Sequence, residues 1–144
     1  MNFTMQIVIE RSRDVVVDLI RNPAYLAEWQ PEVKGVQWLS GERNREGARS
    51  RVAVELRGFQ IDMIETIVEL HPPEQFVLLY EARGVRNLVT NRFLEEGPER
   101  TRWVLTNQFK FSGMMSFVGL FVQDTVPRQN AESMRRFKAF AERQ

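Results

Sequence analysis

Apolar and polar positions alternate in two different periods along this chain, and the switches between them mark its elements. In "NFTMQIVIE" the apolar residues Phe3, Met5, Ile7 and Ile9 fall on every second position, which predicts a strand with one buried face. Ser12 then offers an N-cap to a short helix, "RDVVVDLIR", with Asp14 near its positive dipole end. Asn22 followed by Pro23 repeats the signal of a cap with proline in the first turn, so "PAYLAEW" reads as a second short helix, ended at Pro31. From there to Phe111 the period is two. Breaks at "SGERNREG", "RGF", "HPPEQ", "ARGVR" and "EEGPERT" divide it into about six further strands. The connections are too short for parallel crossovers, so these strands form an antiparallel meander. After "KFSG" a helical period runs from about Ser116 to Arg143, with an interruption expected at Pro127.

This order predicts an α+β fold. A strongly curved antiparallel sheet of about seven strands would wrap around the long C-terminal helix, with the two short helices after the first strand. Strand parity then assigns the inner face. In "TRWVLTNQFKF" Arg102, Gln108 and Lys110 seek water, which turns Trp103, Leu105, Asn107, Phe109 and Phe111 inward. By the same reasoning Asn87, Val89, Asn91 and Phe93 face in from the next strand, and Phe76, Leu78, Tyr80 and Ala82 from the one before it. Ser50, Val52, Val54 and Leu56 do so from "ARSRVAVELR". One surface thus combines aromatic rings with isolated amides and a phenol, a mixture that suits an apolar ligand bearing a few polar groups. The competing reading makes Trp103, Phe93 and Phe109 plain core and satisfies the amides with backbone or buried water.

The strand "QIDMIETIVEL" is the awkward case, because Asp62 lies on one parity while Glu65 and Glu69 lie on the other. If the "RGF" turn pairs Leu56 with Ile61, Met63 and Glu65 face inward and Asp62 faces water. A buried Glu65 would hold its proton more tightly and could serve as a base or anchor a polar group. A bulge, or a place at a wet rim, would instead leave both glutamates outside.

Composition mainly removes options. The 144 residues carry a net charge of +1, and no run of about 18 apolar residues could span a bilayer. The N-terminal stretch has no apolar signal core, which makes a cytoplasmic setting the expectation. With no cysteine and one histidine, neither a thiolate nor a histidine-rich metal site can be built. His71 precedes Pro72 and Pro73 and reads as a turn residue. No glycine-rich phosphate loop precedes a helix. Arg49, Arg51 and Arg57 form a basic stripe that Glu55 interrupts and no aromatic residue accompanies, so it reads as a solvated face and not as a nucleic-acid surface. No metal and no cofactor are expected.

The stretches "NPAYLAEWQPEVKGVQWLSG", "REGARSRVAVELRGFQIDMIETIVELHPPE" and "ESMRRFKAFAER" resemble the SRPBCC, or START-like, superfamily, in the style of its polyketide cyclase/dehydrase-like and lipid-transport members. The resemblance covers almost the whole chain. It implies a helix-grip fold as one ligand-binding domain over residues 1–144, with a cavity of the kind used for sterols, lipids, quinones, hormones or polyketides. It brings no subfamily motif that assigns a catalytic residue.

The expected function is binding or carriage of a small hydrophobic molecule. Met63, Leu78, Phe93, Trp103, Leu105 and Phe109 would form the walls, and Tyr80, Asn91 and Asn107 would orient the ligand. The alternative is a cyclase or dehydratase with Glu65 or Asp62 as base and Tyr80 as acid; a third reading is a protein-interaction module. Phe117 to Val126 is apolar around nearly its whole circumference, yet too short to span a membrane. Phe117 and Phe121 there are expected to close the cavity against the ligand, to form a homodimer surface, or to be a buried hinge.

Overall fold

A computed structural model describes residues 1–113 and 118–144, and for 118–122 the backbone alone. The strands are β1 (Asn2–Ile9), β2 (Val33–Ser40), β3 (Arg49–Leu56), β4 (Phe59–His71), β5 (Gln75–Ala82), β6 (Val85–Gly97) and β7 (Arg100–Phe111). All pair antiparallel in one sheet, in the order β1-β7-β6-β5-β4-β3-β2. The connections from β2 onward are hairpins, as the short breaks in the pattern require, and only β1 reaches the sheet by a long return. A two-residue hairpin joins β3 to β4 through Arg57 and Gly58, both with positive φ. This two-residue turn matches the twist of the strands it joins, and glycine supplies one of its two left-handed positions without cost. It pairs Leu56 with Phe59, not with Ile61 as expected; a shift of two residues preserves the parity, so Met63 and Glu65 still face inward.

The helices are α1 (Arg13–Arg21), α2 (Leu26–Trp29) and α3 (Val118–Glu142), with a 3-10 turn at Pro23–Tyr25 before α2. The Asn22 side chain accepts a hydrogen bond from the Ala24 amide and starts that turn. Ser12 stands at the N-cap of α1 without a side-chain bond to the helix. Pro127 does not break the long helix, which continues through it. The missing amide forfeits one hydrogen bond, and the remaining turns carry the helix past the gap.

The packed core sits where α1, α2 and the C-terminal half of α3 meet the sheet. Val16, Val17 and Ile20 of α1 and Met134, Phe137, Phe140 and Ala141 of α3 bury against Phe76, Phe93 and Trp103. Trp29 stands edge-on to both Trp103 and Phe137, with centroids 5.9 and 5.4 Å away. Polar contacts fix the helix end. Lys138 donates to the Val8 carbonyl at 2.7 Å, and the Glu10 amide donates to Glu142 at 2.8 Å. Arg11 donates to the backbone carbonyls of Glu142 and Gln144. These bonds tie the C-terminal end of α3 to the corner after β1, over a sequence separation that makes the closure a tertiary one.

Candidate functional site

Away from that core, the sheet and α3 enclose a cavity of about 860 Å³. Its walls are mostly apolar: Val52, Val54, Ile61, Met63, Ile67, Leu78, Val89, Leu105 and Phe109 all line it. Across this surface runs a polar row, one residue per strand. Ser50 of β3 stands opposite Glu65 of β4, Glu65 opposite Tyr80 of β5, and Tyr80 opposite Asn87 of β6. Asn107 of β7 continues it, next to Asn87 on the same face.

Glu65 reaches the inside because the bulge comes after it. The β4–β5 register shifts between Ile67 and Glu69, so that Val68 is the extra residue. Before the shift Ile61, Met63, Glu65 and Ile67 face the cavity; after it Leu70 does, and Glu69 turns to solvent. Asp62 is exposed, off the lining, and is dropped as a candidate base, since its neighbours Ile61 and Met63 hold the inward parity.

The Tyr80 hydroxyl donates to Glu65 Oε2 at 2.7 Å. Burial raises the Glu65 carboxyl above its ordinary 4.5, with the Tyr80 hydrogen bond opposing in part. Burial likewise pushes the Tyr80 phenol well above 10.0, and the Glu65 charge and hydrogen bond add to it. Tyr80 is therefore a proton donor that stays protonated, facing a carboxyl that takes up a proton unusually easily. Two groups so arranged can hold and exchange a proton beside a bound molecule.

Asn87 donates to Asn107 through its amide nitrogen at 2.8 Å. Among the described residues Asn87 Oδ1 and Asn107 Nδ2 are buried without a partner. Turning both amides over would exchange the two atoms but still leave one oxygen and one nitrogen unpaired. The pair thus offers a molecule beside it one acceptor and one donor. Asn91 is different: its Oδ1 accepts from Trp103 Nε1 at 3.0 Å, and both side chains are buried in the core edge.

The opposite wall carries polar groups that strand parity could not reveal. Glu32, just before β2, accepts from the Ser133 hydroxyl of α3 at 3.4 Å. Glu32 Oε2, Trp29 Nε1 and Asn130 Nδ2 are buried without partners among the described residues, and all four side chains line the cavity. Asn130 shares a helix face with Met134 and Phe137, the position its spacing from them implies; Glu32 and Ser133 look like solvent-facing residues in the sequence.

Of the expected wall residues, Met63, Leu78, Leu105 and Phe109 line the cavity, as do Tyr80, Asn91 and Asn107. Phe93 does not: at 1% exposure it is stacked between Phe76 and Trp103 in the core. Trp103 touches the cavity but is 2% exposed and belongs chiefly to that same stack. Phe117 lies outside the described residues, and so does the side chain of Phe121, so the expected closure by this segment falls outside them too. Among the described residues no cluster of His, Cys, Asp and Glu could hold a metal ion, and no helix is long and apolar enough to cross a membrane.

The family described as polyketide cyclase / dehydrase and lipid transport matches residues 1–142. Among solved structures, the Zhui aromatase/cyclase from a Streptomyces species superposes with a TM-score of 0.85 at 17% identity, covering 99% of this chain and 94% of that one. A START superfamily protein from Mycobacterium smegmatis superposes at 0.81 with 13% identity, over 99% and 97% of the two chains. A protein from Thermus thermophilus does so at 0.79 with 19% identity, over 98% and 97%. These likenesses show the fold, the START-like helix grip. No curated protein matches the chain significantly.

Proposed function

This chain belongs to the polyketide cyclase / dehydrase and lipid transport family, and from that premise we propose that it binds a small, largely apolar molecule in the cavity between sheet and α3. The observation that carries the reading is the cavity itself. At about 860 Å³ it has the size of a ligand site, and apolar walls crossed by a few convergent polar groups are the usual make-up of one. Residues 1–144 act in this reading as one ligand-binding domain working in the cytoplasm. Native mass spectrometry of protein purified from its own organism tests it. A co-purifying small molecule is expected, and Leu78→Trp, which puts a larger side chain on the cavity wall, should remove it. Protein that comes off bare and takes up no added hydrophobic probe would overturn the reading.

One observation favours catalysis as a second reading: the Glu65–Tyr80 pair faces the space a ligand would fill. In a cyclisation or dehydration Glu65 would take a proton from carbon next to a carbonyl, and Tyr80 would donate to the oxygen where charge develops. Glu65→Gln would then abolish turnover of a polyketide-like substrate and leave its affinity nearly intact. Turnover that survives the substitution would remove Glu65 from the chemistry.

A further inference from the structure

Two stations in the cavity make the same chemical demand from opposite walls. At the sheet, the Asn87–Asn107 pair leaves one oxygen and one nitrogen unpaired. On the helix side, Glu32 Oε2 can only accept a hydrogen bond, while Trp29 Nε1 can only donate one. Trp29 is 8% exposed and Ser133 3%, so these groups lie within the protein and not at its surface. A buried polar atom left unpaired bears the full cost of its desolvation, which makes the identity of the missing partner a strong constraint.

Few groups meet both demands at once. A ketone or ester accepts from Trp29 but gives nothing to Glu32. An ammonium donates to Glu32 but cannot accept from Trp29. A carboxylate accepts only, and would lie against the Glu32 carboxylate, with Glu65 the other acid on the lining. The arginines on the lining do not answer these acids: Arg43 and Arg83 are exposed, and Arg21 ends α1. A hydroxyl both donates and accepts, is neutral, and fits each station.

We infer that the ligand is a neutral apolar molecule carrying hydroxyl groups at two separated positions, one seated between Asn87 and Asn107 and the other between Trp29 and Glu32. A single-headed lipid or a free fatty acid satisfies at most one station. This rests on the reading of the cavity as a binding site and narrows it to a class of ligand.

Four probes of one shape test it: biphenyl, 4-hydroxybiphenyl, 4,4′-dihydroxybiphenyl and biphenyl-4-carboxylate, each titrated into the full chain. Affinity should rise with each hydroxyl, by about tenfold over the series, and the carboxylate should bind weakest. Glu32→Leu should bring the diol down to the level of the mono-ol and leave biphenyl unchanged; Trp29→Phe should act in the same direction if the variant folds. Equal binding of all four probes, or tightest binding of the carboxylate, would overturn the two-hydroxyl ligand while leaving the binding function in place. Failure of every probe to bind, biphenyl included, would remove the binding function and this inference with it.

Discussion

The concave face of this sheet holds two regions built from the same strands and the same parity, yet they are opposites. Toward one end Phe76, Phe93 and Trp103 stack on each other and meet Trp29 and Phe137 edge-on, with every centroid separation between 5.4 and 6.2 Å. A few residues along, Ser50, Glu65, Tyr80, Asn87 and Asn107 face an open volume with polar atoms still unpaired. Alternation decides only that a residue points inward. Whether it becomes core or wall is decided by what is seated against it, and α1, α2 and the C-terminal half of α3 are seated against the aromatic end.

The contrast can be broken in three ways. The largest effect belongs to the packed region: Trp103→Ala should cost about 3–5 kcal/mol of unfolding free energy in denaturant titration, because it leaves a void within interlocked rings and strips Asn91 of its donor. Leu78→Ala, on the cavity wall, should cost less than half as much. Equal losses would mean that the two regions pack alike.

A smaller effect should appear as a pH dependence confined to the wall. Glu65 has its carboxyl raised in the folded protein, so between 4.5 and that raised value the folded state binds more protons than the unfolded one. Its contribution to stability is then fully present below 4.5 and declines as pH rises through the folded value. Unfolding followed from pH 4 to pH 8 should show this decline in the native protein and a flatter profile in Glu65→Gln. A profile unchanged by the substitution would place Glu65 in water.

The smallest effect sharpens the comparison most. Replacing both Asn87 and Asn107 by leucine should leave stability almost unchanged or slightly higher, since two buried polar atoms without partners disappear together with one hydrogen bond. A ligand hydroxyl would lose its seat, and the advantage of 4,4′-dihydroxybiphenyl over 4-hydroxybiphenyl should vanish. A large loss of stability instead would assign the pair to the core.

Much of this was legible from charge placement along the strands. Arg49, Arg51, Arg102 and Lys110 pin the outer parity so firmly that Ser50, Val52, Trp103 and Asn107 have one face left. The first short helix followed from Ser12 and Asp14, the second from Asn22, Pro23 and Pro31, and the hairpins from their glycines. Three things were not legible. Pro127 suggests a broken helix, but a local penalty says little when flanking turns and tertiary contacts continue the helix. Phe93 has the same parity as Asn91 and is core, because parity carries no information about seating. The helix-side station was hidden because Glu32 and Ser133 are polar residues on elements whose polar positions ordinarily face solvent, and their burial depends on contacts separated by 101 residues.

The single extra residue at Val68 has a consequence for how such a cavity could change over time. Glu65 and Glu69 share a parity, and only the insertion between Ile67 and Glu69 sends one inward and the other out. The inventory of groups on this wall is therefore set by a reading phase as well as by residue identity. Closing the bulge with every residue kept would exchange Leu70 for Glu69 at the aromatic end without altering any letter of the wall, whereas deleting Val68 would leave Glu69 outside. A lineage could thus acquire a different acid in its cavity by a one-residue slip of this strand, a route that comparing substitutions position by position would pass over.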